Sequence, residues 1–318
     1  MNIVFMFPGQ SSKYPGMIKK LIDRHALARK IVSDASDVLD RDLKQHFCHA
    51  DSDVFSNNQD IQIGVFLTNY LHARLLVEQT GLKPALSLGL SLGEYNHLVD
   101  IGALTFEDAL RLVAVRGILY DFGPAGIMAS VSPLPVEELK AVLASVRHHG
   151  PVEISNYNSP TQHVIAGNAA AVEAAIAILT EELFAVCTVI EHRIPMHTRI
   201  FAPVSDQFGP HLQSAKWSPV CRPYLPNVTA DIIANPSREC FVDQLSAHVH
   251  SPVLWRQSID AACVRHPDAV FIEVGPRSVL YNLLQERWVP NRKFKTDADG
   301  PPAFDLIASE LGSAGVVS

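Results

Sequence analysis

The chain has 318 residues, enough to bury one large core or two modest ones, and 47% hydrophobic against 19% charged residues exclude disorder as its dominant state. A net charge of −7 excludes the Lys- and Arg-rich surface that displaces counterions from a phosphate backbone, so nucleic acid is not an expected partner. Five cysteines, odd in number and without C-x-x-C spacing, give neither a disulfide framework nor a zinc ribbon and suit a reducing cytoplasm.

Residues 3–7, "IVFMF", form a continuous apolar run stopped by Pro8-Gly9, the pattern of a strand buried on both faces. No basic segment precedes it, as a signal peptide would require, and no later stretch reaches the roughly 18 uninterrupted apolar residues of a membrane helix. A membrane is therefore not expected as a partner. A helix is predicted near 61–79, a strand in "PALSLG" at 84–89, and a second helix through Leu98. A further helix runs from about Phe106 to Tyr120. From 126 to 190 the pattern is β-α-β-β-α-β, with strands at 126–131, 152–157, 163–166 and 184–190 and helices at 136–148 and 169–183. That is the ferredoxin-like order. A buried strand returns in "AVFIEVGP" at 269–276. Beyond Pro290 the chain is rich in Pro, Gly, Asp and Lys and is expected to be loose at first, with a short helix over Phe304–Leu311. The predicted fold is α/β, a parallel-sheet core of residues 1–123 and 194–290 with an inserted small subdomain at 124–193 and a tail at 291–318.

"GLSLG" at 89–93 is a Gly-x-Ser-x-Gly pentapeptide set between the predicted strand and helix, the context of a nucleophile elbow. Such a turn exposes Ser91 beside a helix N-terminus, where attack on a carbonyl is favoured. A helix-capping serine is the plainer alternative. Arg116 stands out by spacing, because three and four positions away lie Leu112, Val113, Leu119 and Tyr120, which bring the guanidinium out of the apolar face. Arg111 has Glu107 and Asp108 at those spacings and reads as an ordinary solvated ion pair. A charge on a core-facing stripe needs a partner from elsewhere, since burying it alone costs several kcal/mol.

"MFPGQSSKYPGM" at the N-terminus, "GLSLGEY" at 89–95, "RLVAVRG" at 111–117, "NYNSPTQHVIAG" at 156–167, His197 and "FIEVGPRSVL" at 271–280 occur in an order that resembles the malonyl-CoA:acyl carrier protein transacylases, over roughly residues 3–288. The resemblance implies a hydrolase-like α/β core with a ferredoxin-like insert. It implies Ser91 as the acyl-accepting nucleophile and His197 as its base, oriented by a backbone carbonyl near His248 instead of a carboxylate. Backbone amides of Gln10 and Leu92 would form the oxyanion hole. Arg116 would clamp the malonyl carboxylate by paired hydrogen bonds that lysine could not reproduce. Met196 would line the acyl pocket, and Asn158 would orient substrate or simply form the turn before Pro160. Malonyl-CoA is then a substrate, the carrier brings a phosphopantetheine arm, and no dissociable cofactor is needed. The implied partner is an acyl carrier protein or a polyketide synthase carrier domain, met by a monomer.

The chain departs from that pattern in places. Leu90 stands before the serine where His or Gln is usual, "PGQSSK" replaces "PGQGSQ" and puts Ser11 and Lys13 at the rim of the oxyanion site, and Met196 replaces Ser or Phe. Asn96 in "GEYN" resembles the free-standing acyltransferases that serve polyketide synthases. His248-x-His250 and His46-x-x-His49 have metal-compatible spacing but no accompanying Cys, Asp or Glu cluster, so no metal is expected. Two rival uses of the same residues are a hydrolase of carrier-bound thioesters and a carrier-binding subunit without catalysis.

Overall fold

The computed structural model describes residues 2–49, 52–298 and 303–311. Its first strand, β1 (Ile3–Phe7), explains the architecture around it. Ile3, Phe5 and Phe7 point into one apolar cluster while Val4 and Met6 point into another, so the continuous apolar run is one strand feeding two cores. β1 pairs in parallel with β2 (Leu86–Gly89) on one side. The insert contributes β3 (Ile127–Ser132), β4 (Val152–Tyr157), β5 (His163–Gly167) and β6 (Val186–Glu191). β7 (Val270–Glu273) then returns to the other side of β1, and β8 (Lys293–Lys295) pairs in parallel with β7. The large sheet has the order β2-β1-β7-β8.

The insert forms a separate antiparallel sheet of order β4-β5-β3-β6, the ferredoxin-like arrangement, with its own core between the sheet and the helices Val136–Ser145 and Ala169–Glu181. A parallel bridge at Asn156 and Val253 stitches the insert to the large part, with Tyr157 N–H donating to Val253 O and Val253 N–H to Ser155 O, both at 2.9 Å. This seam places the insert over the C-terminal ends of β1 and β2, the usual location of a site in an open α/β sheet.

The chain beyond Pro290 does not begin loosely. β8 completes the large sheet, and Asp297 accepts from Tyr14 Oη at 2.9 Å, Lys20 Nζ at 2.6 Å and the Arg277 backbone N–H at 2.7 Å. The composition misleads because "KFK" is a short half-buried edge strand, and Lys293 Nζ donates to the carbonyl oxygens of Tyr281 and Leu284 at 2.9 and 2.6 Å. The helix Phe304–Leu311 forms and buries Phe304, Ile307 and Leu311. No helix among the described residues is long and apolar enough to cross a membrane.

Candidate active site

Ser91 occupies the turn between β2 and the helix Gly93–Asp100, in the left-handed region at φ +52°. The flanking glycines are required by close approach. A Cβ at Gly89 would lie 2.0 Å from Gly93 backbone atoms, and one at Gly93 would lie 2.1 Å from Phe7 O. Ser91 does not cap the helix, because its Oγ lies 2.7 Å from His197 Nε2. His197 is also left-handed, at φ +61°, and its Nδ1 lies 2.7 Å from the carbonyl oxygen of His248. A carbonyl can only accept, so Nδ1 carries the proton and Nε2 is free to accept from the serine hydroxyl. Burial, reinforced by the Arg116 charge and opposed by the His248 carbonyl, pushes the His197 pKa down to about 3. The imidazole is therefore a neutral base at neutral pH.

The carboxyl nearest this pair serves another group. Glu94 is fully buried behind it, accepting from Tyr224 Oη and from the Asn227 N–H at 3.3 Å, with His248 Nδ1 3.2 Å from its Oε2. Burial raises its pKa to about 8 against those hydrogen bonds and the Arg116 charge. Glu94 thus braces the helix of the nucleophile against the helix Arg238–His250 that supplies the orienting carbonyl. Ser91 and His197 form a dyad.

Arg116, 1% exposed, sits on the helix Phe106–Asp121 with Tyr120 and Tyr95 rings 4.2 and 5.7 Å from its guanidinium carbon. Its Nη1 donates to Gln62 Oε1 at 2.8 Å from the helix Asn58–Thr80, while Nε and Nη2 find no acceptor. It makes no ion pair among the described residues, so the partner from elsewhere is an amide and two aromatic faces, which leave the charge unneutralised. Arg111 pairs with Asp108 at 3.5 Å on the surface.

A cavity of about 500 Å³ lies between the large sheet and the insert, and Ser91, His197, Gln10, Met196 and Asn158 line it, as do the departures Leu90, Ser11 and Lys13. Arg116, expected to bind substrate, is not among the residues that line it, although its charge acts on His197. The backbone N–H groups of Gln10 and Leu92 donate to no acceptor among the described residues, leaving both available beside Ser91. The side-chain carbonyls of Gln10 and Asn158 are buried without donors. Asn158 also closes the predicted turn, its N–H donating to Gln162 O at 3.0 Å. Asn96 is not among the cavity-lining residues; its side chain accepts from Asn69 at 2.9 Å and donates to Phe66 O at 3.0 Å, which ties helices together.

His46 Nε2 lies 3.2 Å from Asp60, the His49 side chain is outside the described residues, and no cluster of three His, Cys, Asp or Glu ligands occurs among those described.

Sequence reasoning misses Asn227. Its Oδ1 accepts from the Ser91 N–H at 2.8 Å and its Nδ2 donates to Gly89 O at 2.7 Å, stapling both sides of the strained turn. Asn227→Ala is expected to lower kcat for loading about 10- to 100-fold with KM nearly unchanged, and to cost about 1–3 kcal/mol from the orphaned Ser91 amide. Single-turnover loading and denaturant unfolding check it; unchanged kcat would show that the turn holds itself.

Residues 4–296 match the family model for the acyl transferase domain. A malonyl CoA-acyl carrier protein transacylase of Bacillus subtilis strain 168 is 31% identical over 317 residues, covering 98% of this chain and 97% of its own. The acyl-carrier-protein S-malonyltransferase of Burkholderia pseudomallei 1710b superposes with a TM-score of 0.89 at 29% identity, covering 98% of this chain and 100% of that one. A chain from the complex of a type II PKS acyl-carrier protein with its malonyl-transacylase gives 0.88 at 27% identity, covering 98% and 99%. With residues 4–296, nearly its whole length, matched by that family model, the chain belongs to the acyl transferase domain family.

Proposed function

We propose that the protein moves a malonyl group from malonyl-CoA to the phosphopantetheine thiol of an acyl carrier protein, of fatty-acid or polyketide synthesis, through an ester on Ser91. The observation that carries this reading is the dyad standing beside a buried guanidinium with two uncommitted nitrogens. Ser91 Oγ attacks the thioester carbonyl as His197 Nε2 takes its proton, and the His248 carbonyl steadies the imidazolium that forms. The amides of Gln10 and Leu92 receive the developing oxyanion. Collapse breaks the C–S bond, and the imidazolium returns its proton to the departing coenzyme A thiolate. The carrier thiol then repeats these steps in reverse order, giving its proton to His197 and releasing Ser91.

Arg116 meets the malonyl carboxylate through Nε and Nη2, an edge able to make two parallel bonds. The chemistry is acyl transfer by the protein's own side chains and backbone groups, and the five free cysteines fit a cytoplasmic enzyme. Incubation with malonyl-CoA followed by intact-mass measurement should give one malonyl adduct, mapping to the peptide of Ser91 and passing to added holo carrier. Rapid release of free malonate with the carrier left unloaded would replace transfer by hydrolysis; no adduct and no turnover would leave a silent carrier-binding subunit.

A further inference from the structure

The rim substitution at Lys13 has no part in the chemistry above. Lys13 follows the short 3-10 turn Gln10–Ser12, its N–H donating to Gln10 O at 3.3 Å, and lines the same cavity as Ser91, while its ammonium makes neither a hydrogen bond nor an ion pair among the described residues. Arg287 lines the cavity from the segment after the helix Val279–Leu283. Its Nε donates to the neutral Gln285 amide at 2.9 Å and it has no carboxylate partner. Burial lowers the Lys13 pKa, with Glu191 opposing and Arg277 and Arg193 adding to the decrease. Glu191 lines the same cavity, accepts from the His192 and Arg193 backbone N–H groups at 3.0 and 2.9 Å and lies 3.8 Å from Arg193 Nε, while Arg193 also lies 3.9 Å from Asp121, so these charges offset one another. Lys13 and Arg287 are thus two cations lining one cavity without a carboxylate partner among the described residues, in a chain whose net charge is −7.

We propose that Lys13 and Arg287 bind the phosphate of the phosphopantetheine arm. This rests on the transferase reading. Such a thioester substrate carries one anion at its acyl end, and Arg116 accounts for it. The arm between thioester and phosphate is uncharged and amide-rich, and the cavity between Ser91 and the mouth offers it neutral polar partners in Gln10, Asn158 and Gln162. The next anion along the arm is the phosphate. It stands the same number of bonds from the sulfur in coenzyme A and in a carrier protein, so one cationic mouth can serve both halves of the exchange. A lysine ammonium, compact and mobile on its stem, suits a diester oxygen that keeps part of its hydration.

The test is Lys13→Gln, the residue usual at this position in the pattern the chain resembles. KM for malonyl-CoA and for holo carrier should each rise about 5- to 20-fold with kcat little changed, and the difference from wild type should shrink as salt is raised. Malonyl-N-acetylcysteamine, which has the thioester and carboxylate but no phosphate, should show the same kcat/KM with both proteins. Arg287→Gln should reproduce the pattern.

An equal loss on the truncated thioester would overturn the proposal, since Lys13 would then act on the acyl end or on the fold. No change with malonyl-CoA would overturn it as well. A rise in KM for malonyl-CoA alone would assign the contact to phosphates that the carrier arm lacks, and so remove the shared site. Failure of the wild type to load from either thioester would instead remove the transferase reading underneath.

Discussion

Replacing His197 with alanine is expected to slow malonyl loading of Ser91 about 10⁴-fold, because the hydroxyl loses the base that lies within hydrogen-bond reach among the described residues. The oxyanion donors and the cavity remain, so binding should persist and the loss should appear in kcat. Removal of the imidazole also leaves the His248 carbonyl without its donor, at a cost of about 1–3 kcal/mol, too little to unfold a domain of this size. Single-turnover loading followed by mass, with unfolding measured in parallel, separates the two effects. A loss of less than tenfold would mean that some other group takes the proton.

The same geometry sets the pH dependence. With its pKa pushed to about 3 by burial and the neighbouring guanidinium, His197 is in its basic form throughout the range in which a free imidazole would titrate. Loading kcat/KM should stay flat from about pH 5 to about pH 7, where an ordinary imidazole would impose a falling acid limb near 6.5. A limb at that ordinary value would contradict the burial that produces the shift.

Arg116→Ala is expected to cut kcat/KM for malonyl-CoA about 100- to 1000-fold while leaving acetyl-CoA unchanged or faster. Two charge-assisted hydrogen bonds to one carboxylate account for a discrimination of that size. The acetyl control matters because the guanidinium also acts on the base. Its removal lets the His197 pKa rise, which makes the imidazole a stronger acceptor for any acyl substrate. Arg116→Lys should recover little, since an ammonium on a flexible stem cannot present the paired edge that Nε and Nη2 form while Nη1 stays on Gln62. Equal losses for the two acyl groups in the alanine variant would make Arg116 a structural residue.

What could be read from the residues alone divides along a physical line. β1 was legible because burial on both faces writes itself as unbroken apolar sequence, and Arg116 because a charge at helical spacing from Val113 and Tyr120 has to face inward. The elbow was legible because only glycine tolerates the contacts at 89 and 93. Asn227, Tyr224 and Glu94 were not, since each is defined by a partner 130 or more positions away and none leaves a local pattern. "LPNVTA" reads as a turn, and its asparagine gives no sign that its amide spans the serine turn. The helix Arg238–His250 left a faint trace, because Phe241, Leu245, His248 and Val249 recur at helical spacing with a histidine in the inward stripe.

Asp297 works as a rivet between parts of the chain that composition keeps apart. It gathers the segment just past the oxyanion turn through Tyr14 and Lys20, the Gly-Pro corner through the Arg277 amide, and the last strand of the sheet. A boundary drawn at Pro290 would therefore detach the brace behind Gln10 along with the apparent tail, and a residue nearly three hundred positions from the first strand helps hold the catalytic floor in place.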